Sequence, residues 1–288
     1  MKKVMSLCLL FGVATAGGFA EETDGIFSYK VGKIEVIMLV EAQREGNAEI
    51  LIGADKELLT QYIPESGFMH STNVFLIKAP KQNILVDTGF GQTIFEKMEK
   101  LGVQPDSISA VLLTHMHGDH ISGLQKDGQA LFPKAKIYVS ARDKEYFTQT
   151  QVNDAATAAL NAYGSQVVTF EPLALGSKLK RLLPGIFPVA AYGHTPGHTA
   201  FQIEDSKAKF LIAGDFLHVA LVQFPRPDIS ATYDVDPAAA AATRTQILNY
   251  AAQNKIPIGG MHIVYPAVGA VETAVETGGD GFKFIPAE

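Results

Sequence analysis

The sequence predicts one α/β domain, on three observations. Short apolar, β-branched runs recur along the chain, separated by Gly, Pro or charged turns. Helical patterns sit between several of those runs. No Ser/Gly linker and no block of like charge divides the 288 residues into two units. The composition, 47% hydrophobic and 19% charged, is that of a globular protein and excludes disorder, collagen and coiled coil. A formal charge of −6 and a pI near 5.8 give no basic face for nucleic acid.

At the start of the chain, Lys2 and Lys3 precede an apolar run from Val4 to Ala16, and Gly18-Phe19-Ala20 offers small residues where a signal peptidase cuts. Residues 1–20 are therefore expected to be a cleaved signal peptide, and the protein to be exported, periplasmic or secreted. The run is shorter than the ~20 residues of a membrane span, so no stable membrane anchor is expected. Leu7 stands before Cys8 where a lipoprotein would carry a small residue. Cleavage would leave a single domain over 21–288, 268 residues with the charge moved from −6 to −8 by loss of Lys2 and Lys3. It would also remove Cys8, the only cysteine. Disulfides, thiolate zinc sites and cysteine nucleophiles are then excluded, so a transition metal would have to be held by histidine and carboxylate.

Strands are expected at 34–40, 74–77, 84–86, 111–113, 137–139, 186–191 and 210–213. Helices are expected at 92–101, with Ile94, Phe95, Met98 and Leu101 on one face, and at 142–149, 154–162 and 237–254. Asp236-Pro237 caps the last of these, and Ile247, Leu248 and Ala251 keep its helical period through the alanine run. Three apolar runs end in Asp or His beside Gly or Thr: Val86-Asp87-Thr88-Gly89, Leu113-Thr114-His115 and Ala213-Gly214-Asp215. Polar groups at the ends of several strands are how α/β scaffolds build sites.

The eight histidines are His70, His115, His117, His120, His194, His198, His218 and His262. The segment Thr114-His115-Met116-His117-Gly118-Asp119-His120 ends a buried run in four metal-binding side chains, each of which needs a partner if buried. Imidazoles at alternate positions can face one metal, while Asp119 and His120 in the following turn point to a neighbouring position. A metal takes about four ligands, so the segment is short for each of two metals. Candidates to complete them are His198 in the turn Gly193-His194-Thr195-Pro196-Gly197-His198, Asp215 at a strand end, and His262 after Gly259-Gly260. Those glycines let the backbone pass close to a site.

On these residues the chain resembles the metallo-β-lactamase-fold hydrolases over residues 34–286. The resemblance implies a four-layer αββα sandwich with two metals, zinc in the first instance, at one edge of the sheets. It implies His115, His117 and His198 on the first metal, Asp119, His120 and His262 on the second, and Asp215 bridging both. It also implies a supporting role for Asp87 behind the ligands. Asp215 and the lack of cysteine argue against β-lactamases, and His117 argues against the flavin-partnered di-iron branch. Glyoxalase II has a similar His194–Thr199 turn but a long glutathione-binding tail, where only 26 residues follow His262 here. The tRNA-processing nucleases need RNA-gripping elements unsuited to an acidic exported chain.

Lactonases, esterases and phosphotriesterases remain. The segments 113–120, 193–199, 219–224, 262–266 and 281–286 are most similar to the methyl parathion hydrolase branch and its lactonase and aryl-esterase relatives. The expected reaction is attack of a metal-bound hydroxide on an acyl carbon or phosphorus, with no G-x-S-x-G for a serine triad. Expected partners are a small-molecule ester, lactone or phosphotriester, with a homodimer left open. The competing readings are a phosphotriesterase as the main activity, a one-iron persulfide dioxygenase, and a non-catalytic metal-binding protein.

Asp119 and His218 are the candidate catalytic residues. His218 either donates to a substrate oxygen or packs in its turn. His194 is read as shaping its turn, and His70, beside Asn73, as a surface residue, with a place at the site mouth as the alternative. Tyr146, Phe147, Phe224 and Tyr233 either line an apolar pocket or belong to the core.

Overall fold

The structure, a computed structural model, describes residues 24–274 and 281–288. The signal peptide read over residues 1–20 lies outside them. Seven strands, β1 (Ile26–Val31), β2 (Ile34–Glu45), β3 (Met69–Ala79), β4 (Gln82–Val86), β5 (Ile108–Leu112), β6 (Lys136–Ser140) and β7 (Val167–Phe170), form one sheet in chain order. Its pairs are antiparallel as far as β4 and parallel from there on. The second sheet also follows chain order: β8 (Leu173–Ala174), β9 (Ile186–Ala190), β10 (Thr199–Asp205), β11 (Ala208–Ile212), β12 (Ile258–Gly259), β13 (Val268–Thr273) and β14 (Phe282–Pro286). Within it β8–β9 and β11–β12 are parallel.

The helices are α1 (Lys56–Tyr62), α2 (Ile94–Lys100), α3 (Gly118–Ile121), α4 (Ala141–Glu145), α5 (Asp154–Tyr163), α6 (Ala220–Gln223) and α7 (Pro237–Asn254). Parallel neighbours need crossovers, and α2 to α5 supply them for the first sheet while α6 and α7 join β11 to β12.

Strand alternation assigns every apolar side chain to a layer. Val36, Met38, Phe75, Ile77, Ile84, Val86, Ala110 and Leu112 pack with Phe201, Ile203, Phe210, Ile212 and Val268 between the sheets. Their neighbours Ile37, Leu39, Val74, Leu76, Leu85 and Val111 face outward onto Ile94 and Met98 of α2 and Ala159 and Leu160 of α5. Ile247, Leu248 and Ala251 of α7 cover the second sheet. The result is the expected αββα sandwich. Each such side chain contributes ~1.5–3 kcal/mol by leaving water.

Helix α7 has the predicted bounds: Asp236 Oδ1 accepts from Ala239 N at 3.0 Å, Pro237 opens it, and Lys255 closes it in a left-handed conformation. The helix read over 142–149 is instead two pieces, α4 and a π-helical turn over Tyr146–Thr150. The wider turn buries Phe147 edge-on against His117, with ring centroids 5.5 Å apart.

Candidate metal centre

The C-terminal ends of β4, β5, β11 and β12 meet at one edge of the sandwich, and the polar residues that follow them converge there. Asp87, after β4, takes a left-handed φ of 61°. Its Oδ1 accepts from Thr114 N at 2.8 Å, and its Oδ2 accepts from Thr114 Oγ1 at 2.6 Å and lies 2.7 Å from His120 Nδ1. Asp87 thereby ties two strand ends to α3 and turns His120 Nε2 inward. That atom lies 3.2 Å from Asp215 Oδ1 and 3.7 Å from Asp119 Oδ1. The supporting role expected for Asp87 is the geometry observed.

Five overlapping donor triads form among the described residues, and two of them take up His115, His117, Asp119, His120 and His262. In one, His115 Nε2, His117 Nδ1 and His194 Nε2 are mutually 3.0–3.2 Å apart. In the other, Asp119, His120 and His262 meet, with His262 Nε2 3.6 Å from Asp119 Oδ2. Asp215 lies between them. Its Oδ2 is 2.9 Å from His262 Nε2, 3.7 Å from His115 Nε2 and 3.5 Å from His194 Nε2. The buried His120 Nε2 and Asp215 Oδ1 face each other at 3.2 Å without the geometry of a hydrogen bond. Buried polar atoms without partners are costly and call for one. Both groups can hold a metal ion.

His198 stands outside the two donor groups. Its Nδ1 donates to the Ala191 carbonyl at 2.7 Å, and its Nε2 accepts from Asp215 N at 2.9 Å. Both nitrogens are spent on backbone, and burial holds the ring down at about 4, so it is neutral. His198 fixes the Asp215 loop from behind. Gly214 must be glycine here, since a Cβ would stand 2.4 Å from His198 Nε2.

His194, read from the sequence as shaping its turn, lies beside His115 and His117. Its Nδ1 lies 2.9 Å from Asp234 Oδ1, leaving Nε2 to face His115 and His117. Asp234 was not foreseen; its Oδ2 accepts from Ala231 N and lies 3.8 Å from the buried Arg244 guanidinium. Nothing local marks Asp234, which is 40 positions from its histidine. Asp143, also unforeseen, accepts from Thr195 Oγ1 at 2.8 Å and Gly197 N at 2.6 Å, holding the turn.

Charge is unevenly shared. Burial drives the imidazoles of His115 and His194 well below their ordinary value. Burial opposes protonation of His120 and His262 too, but the carboxylates facing them outweigh it and raise both. Asp215 is held well below the carboxylate range, its burial overcome by His120, His262 and His115. A divalent cation would take over the role of those protons.

His218 reaches the site, with Nε2 3.4 Å from Asp215 Oδ2 and its ring stacked on His262 at 5.0 Å. Its Nδ1 is buried without a partner. His70 is not a surface residue: it is 8% exposed and also stacks on His262, at 4.5 Å. Burial pushes it down to about 3. Asn73 ties β3 to the far loop, donating to the Gly260 and Ile263 carbonyls. Gly259 makes room for the Phe75 ring, 2.6 Å from where its Cβ would be, rather than for the centre itself.

Of the aromatic candidates, Tyr233 is half exposed beside His218, and Phe147 and Tyr146 pack in sequence behind His117. Phe224 is buried against Phe284, away from the donors. The donors open into a pocket of about 360 Å³ lined by Phe90, Tyr233 and His218. Beside it runs a larger cleft of about 1010 Å³ bordered by Leu221, Val264 and Tyr265.

A family model described as the metallo-beta-lactamase superfamily matches residues 68–255. The chain belongs to that superfamily. His262 lies beyond the matched span, yet the fold brings it to the same centre. Among curated members, hydroxyacylglutathione hydrolase of Serratia proteamaculans (strain 568) is 28% identical over 137 residues, 48% of this chain and 43% of that protein. The chain spans about half the length of the curated relatives it matches. The solved structure of hydrolase AbOPH, in the same superfamily, superposes with a TM-score of 0.81 at 25% identity, over 93% of this chain and 99% of that one. AidC, a dizinc quorum-quenching lactonase solved with the product N-hexanoyl-L-homoserine, superposes at 0.78 with 24% identity, over 92% and 98%, and shares the fold.

Proposed function

We propose that this superfamily member is a dinuclear metal-dependent hydrolase of lactones or aryl esters, with phosphotriesters as weaker substrates, and that it is exported. The observation that carries the reading is Asp215, whose two oxygens stand between two donor groups while Oδ1 and His120 Nε2 face each other without a well-formed hydrogen bond. The donor set fits a metal. Three nitrogens 3.0–3.2 Å apart approach the ~3.3 Å edge of a tetrahedron with bonds of about 2.0 Å. His115, His117 and His194 would hold one ion, and Asp119, His120 and His262 the other, with Asp215 shared. Two divalent ions, zinc in the first instance, would supply a Lewis acid and a water acidic enough to ionise near neutral pH. The second donor group favours this reading over a one-iron dioxygenase, and a complete donor set opening into a pocket favours it over a binding-only protein.

The chain's own side chains do the rest. Asp119, 24% exposed where His120, Asp215 and His262 are buried, faces the pocket and can take a proton from the attacking water and return it to the departing alkoxide. Asp87, Ser71 and Asp234 hold the outer nitrogens of His120, His262 and His194 and aim the inner ones at the centre, where a metal would displace the protons of His120 and His262. His218 stands at the pocket wall with Nδ1 unpartnered, able to hydrogen-bond a ring oxygen or a departing alkoxide.

Metal analysis followed by a panel of lactones, aryl esters, methyl paraoxon and nitrocefin tests the reading. Lactones or aryl esters are expected to show the higher kcat/KM. His218→Leu shifts the ratio towards methyl paraoxon, since an apolar wall suits a dialkyl phosphotriester, with two metals retained. One metal after supplementation, or equal change in both substrates, refutes respectively the dinuclear centre and the role of His218.

A further inference from the structure

The pocket over the donors contains one fixed cation that none of the roles above employs. Arg44 lines the same 360 Å³ space as His70, Phe90, Asp119, His218 and Tyr233. It is exposed and makes no ion pair among the described residues. Its direction is set by the backbone. In β2, Val36, Met38 and Val40 point between the sheets, and continued alternation would send Arg44 the same way. A bulge between Val40 and Ala42 shifts the register, so that Arg44 pairs with His70 across the ladder. Cross-strand partners share a face, and the His70 ring lies on His262. The bulge therefore turns a guanidinium towards the donor cluster. The lining carboxylates, Asp119 and Asp215, face the donors.

We propose that Arg44 is a specificity-determining residue that receives a free carboxylate on the substrate, so that the preferred substrates are anionic esters or lactones. The inference rests on the hydrolase reading and names its substrate class. A planar guanidinium matches a carboxylate with two parallel hydrogen bonds, which a neutral alkyl ester cannot accept as strongly. Phe90 and Tyr233 flank the space for the uncharged part of the molecule. The carboxylate sits on either the acyl side or the leaving-group side of the scissile bond.

Two substrate pairs that differ only in charge distinguish those sides. One is 4-nitrophenyl monoglutarate against its methyl ester; the other is 4-acetoxybenzoate against methyl 4-acetoxybenzoate. In the zinc-loaded enzyme the charged member of one pair is expected to have the higher kcat/KM by about tenfold or more, and Arg44→Gln to collapse that ratio. Preference for the neutral member in both pairs, or a ratio untouched by Arg44→Gln, overturns the proposal. Calorimetric binding of glutarate gives a readout that needs no turnover. Loss of glutarate affinity in Arg44→Gln supports the carboxylate subsite even if neither ester is cleaved, in which case the hydrolase reading falls alone. Equal glutarate affinity in both proteins overturns the subsite.

Discussion

Four positions separate His194 from His198, and their backbone surroundings decide which of them keeps a lone pair free. The Asp215 amide occupies His198 Nε2, while Asp234 draws the other side of His194 and leaves its Nε2 inward. His194→Ala should therefore lower the metal content from two ions per chain to one, measured on the purified protein by elemental analysis. His198→Ala should keep both ions and instead cost ~1–3 kcal/mol of stability, because the Asp215 amide is left buried and unpaired. A one-metal His198→Ala protein beside a two-metal His194→Ala protein would reverse the assignment. On the proposed reading, the motif Gly193–His198 marks the turn that supplies a ligand but not which histidine it is. The choice depends on Ala191, Asp215 and Asp234, and a hydrogen bond across 40 positions leaves no mark on a local pattern.

At the scale of elements, α4 meets the turn before β10 through a single carboxylate. Asp143 receives Thr195 Oγ1 and Gly197 N, and burial raises its carboxyl to about 7 from an ordinary 3.8. The folded chain thus retains a proton there that the unfolded chain has released. The stabilisation is complete below pH about 4 and is lost as pH rises through about 7. Between pH 5 and 8 the wild-type melting temperature should fall relative to Asp143→Asn, which has no carboxyl to ionise; scanning calorimetry at several pH values checks this. Parallel curves for the two proteins would show that Asp143 does not titrate in this range. Elements with clear periodicity were legible: α7 carries a cap, a first-turn proline and an apolar stripe, and the central strands carry apolar runs. The π-helical turn after α4 was not, because its apolar spacing reads as ordinary helix and the extra width comes from seating Phe147 against His117. His70 was misread for a similar reason, since its burial comes from the loop that carries His262.

For the whole molecule, the αββα sandwich followed from the resemblance carried by the histidine segment more than from the strands themselves. Strand β10 contains Gln202 and Glu204, and β13 and β14 mix charge with apolar residues, so neither reads as a buried run. Export belongs to this scale, and no helix among the described residues is long and apolar enough to cross a membrane. Fractionation of cells expressing the full chain should give a protein whose N-terminus lies near Glu21, outside the cytoplasm. An intact Met1 in the cytoplasmic fraction would refute the signal peptide.

Only Glu171 and Pro172 join the last strand of the first sheet to the first strand of the second. Each donor group draws two members from before that joint and one from beyond it: His115 and His117 with His194, Asp119 and His120 with His262. Asp215 adds a second-half oxygen to both. A metal held there is a rivet through two halves of the chain, and its binding energy acts on their docking as well as on chemistry. Saturation at a thousandfold above the dissociation constant is worth about 4 kcal/mol per site. Chelation should accordingly lower the melting temperature and open the 171–172 joint to limited proteolysis, read as two fragments on a gel, with zinc restoring resistance. Unchanged digestion after chelation would mean that the apolar layer between the sheets holds the halves together unaided.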